Sequence, residues 1–175
     1  MSNYINILII FSLLFSACTF SNNINSDKHA RFIKNVPFYP QKLYQCGPAS
    51  LAGVLNYWGI QTNQDEVADE IYSKTAKGTL NIDMIAYAEQ KGFKVKQFKG
   101  SIKDIKTYIN SGYPLIVMVD YGLWLYQKNH FMVIVGYNNN GAYANSGGKK
   151  SLFLSFNKLY RIWEKTDFWT MLITP

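Results

Sequence analysis

The sequence predicts an α+β domain, a helical half packed on an antiparallel sheet. Three observations predict it. Helical periodicity is concentrated between residues 46 and 110, short apolar strand-like runs follow from 115 to 137, and Asn138-Asn139-Asn140-Gly141 is a hairpin-type turn between two of them. At 175 residues the chain suits one domain with a full core. Hydrophobic residues at 48%, aromatics at 16% and charges at 17% exclude a disordered or coiled-coil class. The net charge of +7 is scattered, with no basic run and no basic helix face, which argues against nucleic acid as a partner.

Residues 1–17 read as a signal peptide. The apolar run 5–15 is short for a bilayer span and right for a signal core. Phe15-Ser16-Ala17-Cys18 has the form of a lipobox, small residues and then a cysteine, which predicts lipidation of Cys18 and a membrane-anchored lipoprotein of the cell envelope. An ordinary signal peptide or an uncleaved anchor is the alternative, and each exports the body. Residues 18–35 are polar and aperiodic and predict a flexible tether, with His29 solvated in it. The folded domain is expected over 36–175.

Pro37 and Pro40 keep its first segment extended. Leu51, Val54, Leu55 and Trp58 fall at i, i+3, i+4 and i+7, so a helix begins at Cys46 and ends at Gly59. Pro48 suits its first turn, where a missing N–H costs nothing. Thr62 or Asn63 caps a second helix over 62–73 with Val67 and Ile71 inward. A third over 81–91 is expected to bury Ile82, Ile85 and Ala86, with Tyr87 a further candidate for the inner face, and to stop at Gly92. Residues 93–98 alternate as a strand, and Ser101 caps a fourth helix over 101–110. The run 115–119 reads as a buried strand, 121–128 as an aromatic loop, and 130–137 as a strand with His130 at its start. Residues 142–145 are its antiparallel partner and 146–150 a loop. A last helix over 155–165 and a strand over 168–173 close the chain.

A thiol attacks a carbonyl as thiolate, and a helix N-terminus favours that form. An imidazole takes the proton and returns it to the leaving group. Cys46 lies at such a terminus, and His130 lies where a rigid strand can present it. Gly47 beside the nucleophile is expected to leave room for a substrate backbone. One cysteine and one distant histidine are equally the pattern of a buried small hydrophobe and a satisfied core histidine.

The words Gln41-x4-Cys46-Gly47-Pro48-Ala49-Ser50-Leu51 and, later, His130-Phe131-Met132-Val133-Ile134-Val135-Gly136-Tyr137 resemble the papain-like bacterial cysteine peptidases of the bacteriocin-processing, double-glycine leader type and their stand-alone exported lipoprotein relatives. The likeness runs from Val36 to about Ile173. It implies a papain-like fold and a thiol peptidase, with Cys46 as nucleophile, His130 as base and Gln41 as oxyanion donor. Gln45 is the competing glutamine. Where the family places an Asp that orients the imidazole, this chain has Ala144-Asn145-Ser146-Gly147. Asn145 is the expected third member, as the asparagine of papain is; Ser146 is the stricter positional match and Asp120 an outside candidate.

The resemblance implies peptide or protein substrates, no cofactor and a monomer. An acyl transferase would use the same intermediate, and a binding domain with an incomplete triad is the non-enzymatic alternative. A Cys18–Cys46 disulfide would need Cys18 unlipidated. Two histidines and two cysteines, widely spread, do not make a metal site. Tyr121, Trp124 and Tyr126 precede His130 closely and would line a substrate cleft or pack on the sheet.

Overall fold

The helix that starts at Cys46 is the hub of the molecule. The computed structural model describes residues 29–175 apart from 124. The signal peptide, Cys18, most of the tether and Trp124 fall outside the described residues. The first helix, α1 (Cys46–Tyr57), is buried continuously from Gly47 to Leu55. Small residues on one side let it sink into the body: a Cβ on Gly53 would lie 2.8 Å from the carbonyl oxygen of Pro37.

α2 (Gln64–Ile71) starts at Asn63, whose side chain accepts from the backbone N–H of Asp65 and Glu66. α3 (Asn81–Gln90) follows. Its buried face is Met84, Tyr87 and Ala88, whereas Ile82 is 61% exposed. The periodicity had placed Ile82 inward, so the helix is rotated from that expectation. α4 (Ile102–Asn110) is capped by Ser101 on the N–H of Asp104. α5 (Phe156–Trp163) is capped by Ser155.

Among the described residues seven strands form one antiparallel sheet. They are β1 (Arg31–Phe32), β2 (Lys94–Lys99), β3 (Leu115–Asp120), β4 (Asn129–Tyr137), β5 (Gly141–Ser146), β6 (Lys149–Ser155) and β7 (Trp169–Thr174). The order is β2-β7-β3-β4-β5-β6, with β1 paired to β4. The fold is therefore α+β, as expected, with two elements that the expectation lacked. Arg31 and Phe32, expected in the tether, pair with Tyr137 and Gly136, so the folded body begins before Val36. Residues 149–155 form β6, where the expectation had a loop up to 150, a helix from 155 and no element between them.

β4 is buried on both faces. Phe131, Val133 and Val135 pack with α1, α2 and α3, and Met132 and Ile134 pack with α4 and α5. That two-sided burial explains its unbroken apolar run. No helix among the described residues is long and apolar enough to cross a membrane.

Trp163 anchors the second of these cores. It is 1% exposed and donates its indole N–H to the carbonyl of Trp169 at 3.0 Å. Gly100 makes room for it, since a Cβ there would meet Trp163 Cζ2 at 2.7 Å. Trp163→Ala is expected to cost about 4 kcal/mol in urea denaturation through the cavity it leaves. A cost below about 1 kcal/mol would show that the ring is not part of the core.

Candidate active site

Cys46 is the first residue of α1, and its thiol is free. Gln45 occupies the N-cap without a side-chain hydrogen bond to the helix, so the first-turn N–H groups are left to the thiol. The backbone N–H groups of Phe131, Gly47 and Cys46 itself act on the sulfur and favour the thiolate. Burial opposes them and wins, so the pKa of Cys46 stands above that of an ordinary thiol. This corrects the expectation drawn from the helix terminus alone: the dipole is present, and desolvation outweighs it.

Gly47 has a different task from the one expected. A Cβ there would lie 2.8 Å from Thr79 Cβ, so the glycine admits the loop before α3 rather than a substrate backbone.

Gln41 is brought to the same place. Its backbone N–H donates to the carbonyl of Gly147 at 3.0 Å, and its Nε2 donates to the carbonyl of Phe131 at 3.2 Å. The Cys46 sulfur and the Gln41 amide therefore meet on the N–H and the C=O of one residue, Phe131. Nε2 carries two protons, so one remains for another acceptor. The Oε1 atom of Gln45 is buried without a hydrogen-bond partner among the described residues.

His130 is the residue before Phe131, near the start of β4. Its Nε2 lies 2.9 Å from Ser146 Oγ. The thiol and the imidazole hydrogen-bond to these separate partners and not to each other. Burial, followed by the charge of Lys128, lowers the His130 pKa from 6.5 to about 4. The resting pair is thus a neutral thiol and a neutral imidazole.

Hydrogen bonds place the three candidates for the third position differently. Asn145 is buried, but its Oδ1 accepts from the N–H of Ser151 at 3.1 Å and holds the turn into β6. Successive residues of a strand face opposite ways, and the pairing of β5 with β6 shifts between Ala144 and Ser146. Ser146, not Asn145, meets the imidazole. Asp120 is also occupied elsewhere: its Oδ1 accepts from the N–H of Gly122 at 2.6 Å and of Lys128 at 2.7 Å, closing the neck of the 121–128 loop. Tyr121, at that neck, lays its ring beside His130 with centroids 5.4 Å apart. Leu123, Leu125 and Tyr126 stand out from the same loop, Leu125 at 97% exposure. Among the described residues no cluster of three His, Cys, Asp or Glu side chains is placed to hold a metal.

A thiol at the N-terminus of a buried helix, laid against an antiparallel sheet that carries a histidine at a strand start, is the arrangement of the papain-like cysteine peptidases. The chain belongs to the Peptidase_C39 like family, whose model matches residues 33–170. Its fold is similar to that of a C39-like peptidase from Bacillus anthracis, with a TM-score of 0.70 and 17% identity over 83% of this chain and 98% of that one. The peptidase domain of Streptococcus ComA, a bifunctional ABC transporter involved in a quorum-sensing pathway, matches with a TM-score of 0.67 and 23% identity over 80% and 98%. A double glycine motif protease from an AMS/PCAT transporter, solved with its leader peptide, matches with a TM-score of 0.66 and 21% identity over 83% and 94%. A separate likeness is confined to 50 residues, 29% of the chain, which are 40% identical to a VapB2-type antitoxin of Pyrococcus abyssi (strain GE5 / Orsay). The chain spans 66% of the length of that curated relative.

Proposed function

We propose that the protein is an exported cysteine peptidase that hydrolyses peptide bonds through an acyl-enzyme on Cys46. The observation that carries the reading is the convergence on Phe131, where the sulfur takes the N–H and the Gln41 amide takes the C=O. Family membership and the papain-like fold support it.

In the first step the sulfur bonds to the scissile carbonyl carbon as its proton passes to His130 Nδ1, the nitrogen that Ser146 leaves unengaged. The carbonyl oxygen gains negative charge, and the spare Nε2 proton of Gln41 with the Cys46 N–H would bind it. Collapse breaks the C–N bond, and the imidazolium gives its proton to the leaving amine. Water then attacks the thioester, His130 takes the proton from water, and the thiol is regenerated with release of the acid.

On this reading Gln41→Ala loses one oxyanion donor. We expect kcat to fall on the order of 10²-fold with KM little changed. An unchanged kcat assigns Gln41 to loop structure alone.

A second reading has a specific observation in its favour. The half-buried thiol, with its pKa raised by desolvation, and the lack of a carboxylate on His130 fit a peptide-binding domain that has lost catalysis. A thiol-directed peptide probe separates the two: if folded protein is not labelled on Cys46 at neutral pH, the enzyme reading fails. Peptides released by the wild type and absent with Cys46→Ala, read by mass spectrometry, identify the substrate, and transfer to an added amine distinguishes acyl transfer from hydrolysis. We further propose that residues 1–17 are removed and that Cys18 carries the lipid that holds the domain at the envelope. An unmodified mature N-terminus by mass would exclude the anchor.

A further inference from the structure

A small cavity lies beside the oxyanion donor. Tyr39 and Gln41 form one wall, and Ser50 of α1, Val133 of β4 and Asn145 of β5 form the other. The first wall is pinned at both of its residues. The Tyr39 hydroxyl donates to the carbonyl of Thr62 at 3.0 Å, and the Gln41 N–H to that of Gly147 at 3.0 Å. The space open to the centre of a water molecule is about 10 Å³, room for one water and too little for a substrate side chain.

The polar groups on the walls are incompletely matched by protein. Ser50 is 2% exposed, and its Oγ has no hydrogen-bond partner among the described residues. Asn145 is 5% exposed. Its Oδ1 accepts from the N–H of Ser151, which orients the amide and leaves Nδ2 with two protons that no described residue takes. Gln41 is oriented in the same way: Nε2 is the donor to Phe131, so Oε1 lies on the other side of its amide and meets no donor among the described residues. An amide N–H only donates and an amide oxygen only accepts, so a group between them must do both. A metal ion cannot accept from the first, and an anion cannot donate to the second. Water does both, and three polar partners is the usual number for a buried water.

We propose that this cavity is a site for one resident water, which accepts from Asn145 Nδ2–H, donates to Gln41 Oε1 and shares a hydrogen bond with Ser50 Oγ. Ser50 and Asn145 are then positioning residues, because they act on the scissile carbonyl only through Gln41. The Gln41 amide is held at both ends, by Phe131 on its nitrogen and by the water on its oxygen. Its second Nε2 proton therefore stays directed into the site. Asn145, which does not meet the imidazole, has its task on the oxyanion side. The role in turnover rests on the peptidase reading; the water site itself does not.

A crystal structure of the full chain, fine enough to place ordered solvent, tests the site directly. It is expected to show one water within hydrogen-bond reach of Ser50 Oγ, Asn145 Nδ2 and Gln41 Oε1. Ser50 Oγ turned onto the carbonyl of Cys46 with no water, or a water that does not reach Gln41, overturns the proposal. Turnover is the second readout. Ser50→Ala removes one of the three partners and is expected to lower kcat about fivefold with KM unchanged, a small part of the roughly 10²-fold that an oxyanion donor supplies. Ser50→Thr keeps the hydroxyl and should recover most of that loss. In a Gln41→Ala background, where no amide is left to position, Ser50→Ala is expected to cost less than about twofold. An equal loss in both backgrounds gives Ser50 a packing role and overturns the positioning role. If the wild type cleaves no peptide, the peptidase reading falls, and the presence or absence of the bridging water still decides the site.

Discussion

Cys46→Ala is expected to lower peptide cleavage on the order of 10⁶-fold in kcat, the scale of losing a nucleophile that works as a unit with its base. The size follows from what remains. Gln41, the first-turn N–H groups of α1 and His130 stay where they are, because none of them is held by the sulfur. Gln41 is tied to Phe131 and Gly147, and His130 to Ser146. Water would have to replace the thiol as attacking group, without an acyl-enzyme to divide the barrier. The fold should barely notice. Cys46 packs at the margin of the first core, and α1 is fixed by residues such as Leu51, Val54 and Leu55, each fully buried. We expect a loss of stability of about 1 kcal/mol, the scale of a few buried atoms. Cleavage by Cys46→Ala at even a hundredth of the wild-type rate would place the nucleophile elsewhere.

How much of this was legible in the residues depends on where burial leaves a pattern. α2 and α4 each bury one stripe and carry a capping residue, and α1, buried all round over most of its length, still shows apolar residues at helical spacing before a stop at Gly59. β3 and β4 are buried on both sides and show as apolar runs. β6 has no such signal: only Leu154 of its seven residues is fully buried, so nothing alternates. β1 is two exposed residues and exists because β4 offers it a free edge. At the site, Cys46 and His130 stood out because cysteine and histidine are scarce here. The choice between Asn145 and Ser146 did not stand out, because a single residue of register decides which one faces the imidazole, and the irregularity between Ala144 and Ser146 is invisible in composition. Tyr121 was noticed only as an aromatic near the cleft. Its position depends on the Asp120 carboxylate drawing together the two ends of the 121–128 loop, a contact between residues with no shared periodicity.

His130→Gln should remove activity and gain acid resistance in the same protein. Loss of the base is expected to lower kcat on the order of 10⁴-fold or more. The stability effect comes from burial. Folding holds the imidazole at a pKa of about 4, against 6.5 for the free side chain. Between those values the unfolded chain binds a proton that the folded chain does not, so wild-type stability is full above about pH 6.5 and falls as pH is lowered towards 4. The shift corresponds to about 3 kcal/mol. A neutral amide has no such linkage, while the remaining groups, His29 included, are common to both proteins and cancel in the difference. The stability of His130→Gln minus that of the wild type, from urea denaturation at a series of pH values, should therefore rise by about 3 kcal/mol from pH 7 to pH 4. The difference removes any fixed cost of lost packing on Tyr121. Parallel curves would mean that His130 is charged or solvated in the folded state, and a neutral imidazole could not then be the resting base. The same burial that makes His130 costly to protonate keeps it unprotonated at neutral pH, ready to receive a proton from a thiol that burial has likewise kept neutral.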